Sequence, residues 1–255
     1  MTDPLAFIEA QEATWPAAET AEIGPWRLRF SKGGGRRVGS ARPLTGALSD
    51  QQHALLDALP AVQTFYRERE APGYLQLVDA AARDLDPELA RLGWRAEAPT
   101  RFFKAPMDAL ANRALSTDKR PYLVHVKTPL AAIDDLWRED GIGEGRRAVM
   151  NRAAHGAVWG ARVENRFAGA VFASVGDRET TSPRVAQIHA LYISPWARRR
   201  RAAADLIIQS AKWARDAGAE ELTIDVLAAN ASARALYENL GCQEAGGYVY
   251  YRKDE

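Results

Sequence analysis

The chain has little cysteine, little histidine, no long apolar run and almost no net charge, and each shortage removes a class of protein. Its single cysteine, Cys242, excludes an intramolecular disulfide and fits a reducing compartment. Four histidines are scattered over 255 residues without partners at metal-ligand spacing, so no metal is expected. No uninterrupted apolar stretch approaches the ~18 residues of a membrane span. The first residues, Met1 to Glu9, lack the basic region and apolar core of a secretory signal. A cytoplasmic protein is therefore the expectation. Thirty-four basic residues against thirty-three acidic ones leave a formal charge of +1, so no bulk field recruits nucleic acid or acidic membranes.

What is present is an ordinary globular composition, 47% apolar and 26% charged, long enough for one large domain or two moderate ones. In outline it is written twice. Leu92-Gly93-Trp94 precedes Phe102-Phe103-Lys104, and Leu240-Gly241-Cys242 precedes Tyr250-Tyr251-Arg252, with counterparts 148 residues apart. The same shift lays residues 65–68 on 213–216, each ending a helical run, and the strand-like 74–78 on 222–226. Helix, strand, helix, Leu-Gly turn and aromatic strand thus recur without a gap. Two copies of one such unit would each expose an apolar sheet face needing cover, and packing side by side supplies it. The boundary is expected within 108–120, dividing the chain into 1–118 and 119–255.

In the second half a strand is expected at 121–127, then helix from about 129 to 154 broken near Gly141-Ile142-Gly143. A hairpin (157–163 and 167–175), a polar loop (176–183) and a fourth strand (185–193) follow. Residues 203–217 place Leu206, Ile207, Ser210, Ala214 and Ala217 on or near one face of a helix. The last strands, 221–226 and 247–252, flank a short helix beginning at Asn230. In the first half, 26–30 alternates as a strand, Gly33-Gly34-Gly35 reads as a flexible turn, and Asp50 is placed to cap a helix to Glu70. The N-terminus is expected to fray.

Two segments carry the functional signal. One is the helix from Asn230 to Gly241, where Asn230, Ala233 and Tyr237 share a stripe. The other is the strand–turn–helix run from Leu191, Tyr192 and Ile193 through Arg198-Arg199-Arg200-Arg201-Ala202-Ala203 to Ile207. In this order and spacing they resemble the Gcn5-related N-acetyltransferase (GNAT) family. The resemblance covers residues 119–255 directly and the rest only through the repeat. It implies an α+β fold of two tandem acetyltransferase-like units, with a central mixed, mostly antiparallel sheet flanked by helices. The first unit would be a degenerate copy, with Ala82 and Leu89 in the places of Asn230 and Tyr237.

The family resemblance also implies acetyl-CoA as co-substrate and a primary amine as acceptor. The helix after the basic turn would receive the pyrophosphate on its free N–H groups. Arg198 and Ala203 match the family's turn, but Arg201 stands where it has glycine. Either the arginine side chains add charge-assisted bonds to phosphate, or the run is a solvated surface and the cofactor is lost. Tyr237 would protonate the departing thiolate, which suits a phenol with its pKa of ~10; its plain alternative is a buried anchor. Asn230 would face the pantetheine arm and cap its helix. The family's usual glutamate base falls on Gln187, whose amide can only orient water. His189, on the same strand face, has a suitable pKa but is also at home as a structural residue. If neither serves, either the amine arrives already deprotonated or an acid from Glu164, Asp177 or Glu179 contributes. Arg36 to Ala41 matches the phosphate-turn pattern by letter, but no apolar helix follows and the match reads as chance. Cys242 reads as core. The alternative to an enzyme is a non-catalytic module on the same fold, an acyl-CoA sensor or a protein-binding unit.

Overall fold

The computed structural model describes residues 3–45, 51–115, 121–126, 130–177 and 183–254. In chain order the elements are α1 (Pro4–Thr14), β1 (Glu19–Ile23), β2 (Trp26–Phe30), β3 (Ser40–Pro43), α2 (Gln52–Arg67), β4 (Tyr74–Val78), α3 (Asp79–Arg91) and β5 (Trp94–Pro106). Then come α4 (Met107–Ala111), β6 (Tyr122–Val126), α5 (Ala131–Glu139), α6 (Glu144–Arg152), β7 (His155–Val163), β8 (Arg166–Val175), β9 (Val185–Ile193), α7 (Ala202–Asp216), β10 (Glu221–Leu227), α8 (Ala231–Asn239) and β11 (Gln243–Lys253). The expected helix of 129–154 is two helices, parted where Gly141 and Gly143 interrupt the pattern. Asp50 and Glu179 lie outside the described residues. No described helix is long and apolar enough to cross a membrane.

The strands form one sheet in the order β1-β2-β3-β4-β11-β5-β10-β9-β8-β7-β6. Only β3–β4 and β9–β10 run parallel; every other neighbour is antiparallel. The expected α+β architecture with a mixed, mostly antiparallel sheet is the one observed. The repeat is visible in it, since α2-β4-α3-β5 and α7-β10-α8-β11 follow the same order at the 148-residue shift.

The centre of the sheet departs from simple side-by-side packing. β5, from the first half, pairs along β10 from Glu221↔Pro106 to Leu227↔Thr100. β11, from the second half, pairs along β4 from Tyr248↔Val78 to Arg252↔Tyr74. Each half thus completes the other's sheet with its last strand, and the two exchanged strands pair with each other. The cores follow. Phe103 and Ala105 of β5, with Met107 and Leu110 of α4, pack with Leu206, Ile207 and Ala211 of α7 and with Leu222 and Ile224 of β10. Tyr248, Tyr250 and Tyr251 of β11 pack in return with Leu55, Leu59, Leu75, Leu77 and Leu85.

Where a frayed segment was expected, Pro4–Thr14 forms a helix. Asp3 caps it through the Leu5 N–H at 2.9 Å, and Phe7, Ile8, Ala10, Gln11 and Thr14 are buried. Its inward polar groups are satisfied across the molecule. Gln76 Nε2 donates to Gln11 Oε1 at 3.0 Å, and Gln11 Nε2 donates to the Asp225 carboxylate. Thr14 Oγ1 donates to Gln187 Oε1 at 2.8 Å, and Ser174 Oγ donates to the Thr14 carbonyl at 2.6 Å. Buried polar groups left unpaired would cost about 1–3 kcal/mol each, so this network fixes α1 in one place.

Candidate active site

The strand β9 pairs with β10 only as far as Ile188↔Ile224. Beyond that point β10 stays with β5 and β9 stays with β8, so the two parallel strands part. A bulge on β9 accompanies the parting: its register against β8 slips between Ala170↔Tyr192 and Phe172↔His189, and Ala190 takes φ 50°. The indole Nε1 of Trp137 donates to the Ala190 carbonyl at 2.9 Å and holds the bulge from the α5 side. Residues 189–191 of β9 therefore border the opening with no partner strand on the β10 side.

A cavity of about 370 Å³ occupies this opening. Of the expected site residues, His189, Leu191, Asn230 and Tyr237 line it. Asn230 caps α8 through the Ala233 N–H at 3.1 Å, so its amide oxygen is engaged while the residue borders the cavity. Tyr237 is buried, and its ring meets Phe103 of β5 edge-on at 5.6 Å. Burial raises its pKa, and the Asp225 and Cys242 charges add to the rise. Cys242 is itself core, its thiol pushed up to about 11 by burial.

Gln187 is fully buried behind the opening, accepting from Thr14, and is not part of the cavity wall. His189 is buried, with Trp15 packed on its ring at 4.8 Å. Arg37 Nη1 lies 3.0 Å from His189 Nδ1. A guanidinium only donates, so Nδ1 is the acceptor and the neutral ring carries its proton on Nε2. Burial, then the Arg37 charge, hold the His189 pKa well below its ordinary 6.5. Glu164 accepts from Arg200 at 2.6 Å and Asp177 faces His155 at 3.3 Å, so neither belongs to this cavity.

Asp225 of β10 was not singled out from the sequence. Its side chain is wholly buried, and Arg37 Nη2 stands 3.4 Å from its Oδ2. Burial raises the Asp225 pKa against the lowering effect of Arg37 and of the Gln11 and Gln187 amides. Burial works equally against the charge on Arg37, but the Asp225 carboxylate and the Tyr248 and Tyr250 phenols outweigh it and raise its pKa. Arg37 comes from the segment whose match to the phosphate turn read as chance. That segment is a 3-10 turn, 36–38, leading into β3 rather than into a helix.

The first half supplies Trp15, Gly34, Gly35, Arg36, Arg37, Ala98 and Thr100 to the cavity wall. Gly33-Gly34-Gly35 is less a flexible turn than a close contact. A Cβ on Gly145 of α6 would lie 2.3 Å from the Gly33 carbonyl carbon, so the two backbones touch where only glycine fits.

The basic turn lies outside the cavity wall, as do Tyr192, Ile193 and Ala233. Tyr192 Oη donates to Glu139 at 2.8 Å, and Arg198 Nε donates to the Ile193 carbonyl at 3.3 Å. Arg199 and Arg201 both adopt φ 62°, the left-handed conformation glycine would favour. Arg201 is the N-cap of α7 and gives it no side-chain capping bond. Among the described residues Arg199 and Arg201 make no side-chain hydrogen bond or ion pair, and both are exposed. Ala202 is buried and Ala203 half-buried at the helix start. Among the described residues no cluster of histidine, cysteine and acidic side chains could hold a metal ion.

The family model described as Acetyltransferase (GNAT) family matches residues 117–242. An aminoglycoside N(6')-acetyltransferase type 1 from Serratia marcescens is 39% identical over 69 residues. That stretch is 27% of this chain and 47% of the relative, about half its length. A GCN5-related N-acetyltransferase from Kribbella flavida superposes over 100% of this chain and 96% of its own, with TM-score 0.79 at 12% identity. A tandem GNAT protein from the clavulanic acid biosynthesis pathway superposes over 97% of this chain and 86% of its own, with TM-score 0.60 at 15% identity. At such identities the likeness is one of fold.

Proposed function

With residues 117–242 matched by the model of the Acetyltransferase (GNAT) family, we propose that the protein transfers an acetyl group from acetyl-CoA to a primary amine. Attack is direct, within a ternary complex. The observation that carries this reading is the parting of β9 from β10 with Tyr237 and Asn230 on the cavity wall beside it. The thioester would enter that opening, its carbonyl oxygen resting on main-chain N–H groups near Leu191 to Ile193 on the side that β10 has left, as negative charge develops. Asn230 and Ala233 would flank the pantetheine arm. Arg198 to Ala203 would receive the pyrophosphate at the uncapped start of α7, with Arg199 and Arg201 free to reach it.

As the tetrahedral intermediate collapses, the C–S bond breaks and Tyr237 gives its proton to the thiolate sulfur. Its raised pKa keeps that proton available at neutral pH. The amine's proton must leave as the C–N bond forms. The Nδ1 lone pair of His189 is taken up by Arg37 and its Nε2 is buried, so its part is to position Arg37. Gln187 supports β9 from behind. Asp225, whose Oδ1 has no hydrogen-bond partner among the described residues, is the carboxylate best placed to take the proton through water. Residues 1–118 are read as a degenerate acetyltransferase-like partner that completes the acceptor side, and 119–255 as the copy that binds the cofactor.

The test is release of free thiol from acetyl-CoA over a broad panel of primary amines. Amine-dependent thiol release, with the acetylated amine found by mass spectrometry, is the expected result. Thermal stabilisation by CoA with no turnover on any amine would convert the reading to an acyl-CoA sensor.

A further inference from the structure

Five charged residues line the cavity: Arg36, Arg37 and Arg146 against Asp140 and Asp225. Two of the cations are already answered. Arg37 faces Asp225 at 3.4 Å, and Arg36 Nε reaches Glu97 at 2.7 Å, outside the wall. Arg146 of α6 makes no hydrogen bond or ion pair among the described residues, although it is half-buried. Burial, then the charges of Arg37 and Arg36, lower its pKa, opposed by Asp140 and Tyr250. The guanidinium is thus drawn from water and pushed toward two others with no anion in contact.

Its seat is built by the backbone. The Gly33–Gly145 contact fixes the distance between the 33–37 segment and α6. A Cβ on Gly35, whose φ is 87°, would sit 3.2 Å from Arg146 Nε, so the absence of a side chain there leaves the guanidinium room over the turn.

We propose that Arg146, with Arg36 and Arg37 behind it, binds an anionic group on the acceptor, which is therefore an amine that also carries a carboxylate or a phosphate. The proposal rests on the acetyltransferase reading and narrows its acceptor. A planar fork of donors suits either oxyanion in bidentate fashion. Occupation by an anion would relieve the repulsion among the three guanidinium groups. Asp140, also without an ion pair among the described residues, is placed to meet a single ammonium group. A polycationic amine needs several free carboxylates, whereas this wall sets three guanidinium groups against two carboxylates, one of them already facing Arg37.

Thiol release from acetyl-CoA is measured with β-alanine and glutamate, with 2-aminoethyl phosphate, with propylamine, and with spermidine and neamine. The expected result is a KM about tenfold lower or better for one anionic arm than for propylamine, the preferred arm distinguishing carboxylate from phosphate. Arg146→Ala raises that KM about tenfold or more while the KM for acetyl-CoA stays within about twofold, and Arg146→Lys recovers part of the loss. Arg146→Gln, similar in length, serves if the alanine variant does not fold. Highest efficiency on propylamine, spermidine or neamine overturns the proposal, as does an unchanged KM for the anionic amine in the Arg146 variants. If no amine releases thiol, the same compounds are titrated calorimetrically. Binding of an anionic amine that Arg146→Gln abolishes keeps the anion site and sinks acetyl transfer. Absence of any such binding sinks the anion site as well.

Discussion

A phenol that must hold its proton until a thiolate departs is well kept out of water, and Tyr237 is buried against Phe103. Removing only its oxygen separates the chemical role from the packing role, because the ring remains. Tyr237→Phe is expected to lower kcat by about 10²-fold, with the KM for acetyl-CoA within about twofold and little loss of stability. Steady-state kinetics beside a denaturant titration would check it; unchanged kcat would leave Tyr237 an anchor. His189 makes a different prediction because its folded pKa is depressed. Below pH 6.5 the unfolded chain takes up a proton on this ring and the folded chain does not. The unfolded state is then favoured, so stability falls as pH drops from 6.5 toward the folded pKa. The slope from this ring is at most about 1.4 kcal/mol per pH unit. His189→Gln should flatten the stability profile between about pH 5 and 6.5, read from denaturation midpoints. A profile identical to that of the parent would exclude His189 as the source.

The turn before α7 shows an element keeping a backbone that its residues do not favour. Arg199 and Arg201 are held at φ 62°, where an L-residue is strained by about 1–2 kcal/mol. Glycine would remove the strain but would lose about 0.4–1 kcal/mol more entropy on folding. Arg201→Gly should therefore raise stability by about 0.5–1 kcal/mol, measured by chemical denaturation. If the side chain also reaches the pyrophosphate, the same variant weakens CoA binding and flattens its salt dependence. A less stable Arg201→Gly protein would mean that the arginine makes contacts outweighing its strain. Elements of the second half were legible because their apolar periods are clean. β9 runs as expected from 185 to 193, and α7 and β10 lie within one residue of their expected limits. The helix α1 was not legible. Its inward stripe includes Gln11 and Thr14, polar groups satisfied by side chains more than 60 residues away, so no hydrophobic period marks it. The same holds for the cavity. Asn230, Tyr237, Leu191 and His189 could be placed from local pattern. Trp15, Arg37, Arg146 and Asp225 come together only through tertiary packing.

At the scale of the whole chain, the 148-residue shift identifies equivalent strands but cannot say which edge each will pair with. β5 and β11 are equivalent under the shift, so either could complete β4 or β10, and the sequence pattern is the same in both arrangements. In the observed one the exchange makes each half dependent on the other. Without residues 1–118, β10 loses its partner along Glu221–Leu227, and the core on α7 loses Phe103, Ala105, Met107 and Leu110. Loss of Phe103 alone corresponds to a truncation worth about 3–5 kcal/mol, a large part of the 5–15 kcal/mol that holds a typical domain. Without residues 119–255, β4 loses β11, and the first core loses Tyr248, Tyr250 and Tyr251. Residues 119–255 expressed alone should be unfolded or self-associated through the bare edge of β10, by light scattering and circular dichroism. The two halves encoded separately and expressed together should copurify one to one and regain the cavity, since all the exchanged pairing is available between them. A monomeric, folded 119–255 fragment that binds acetyl-CoA would show that β11 can return to β10. The exchange would then be a choice between two near-equal pairings rather than a requirement of the fold.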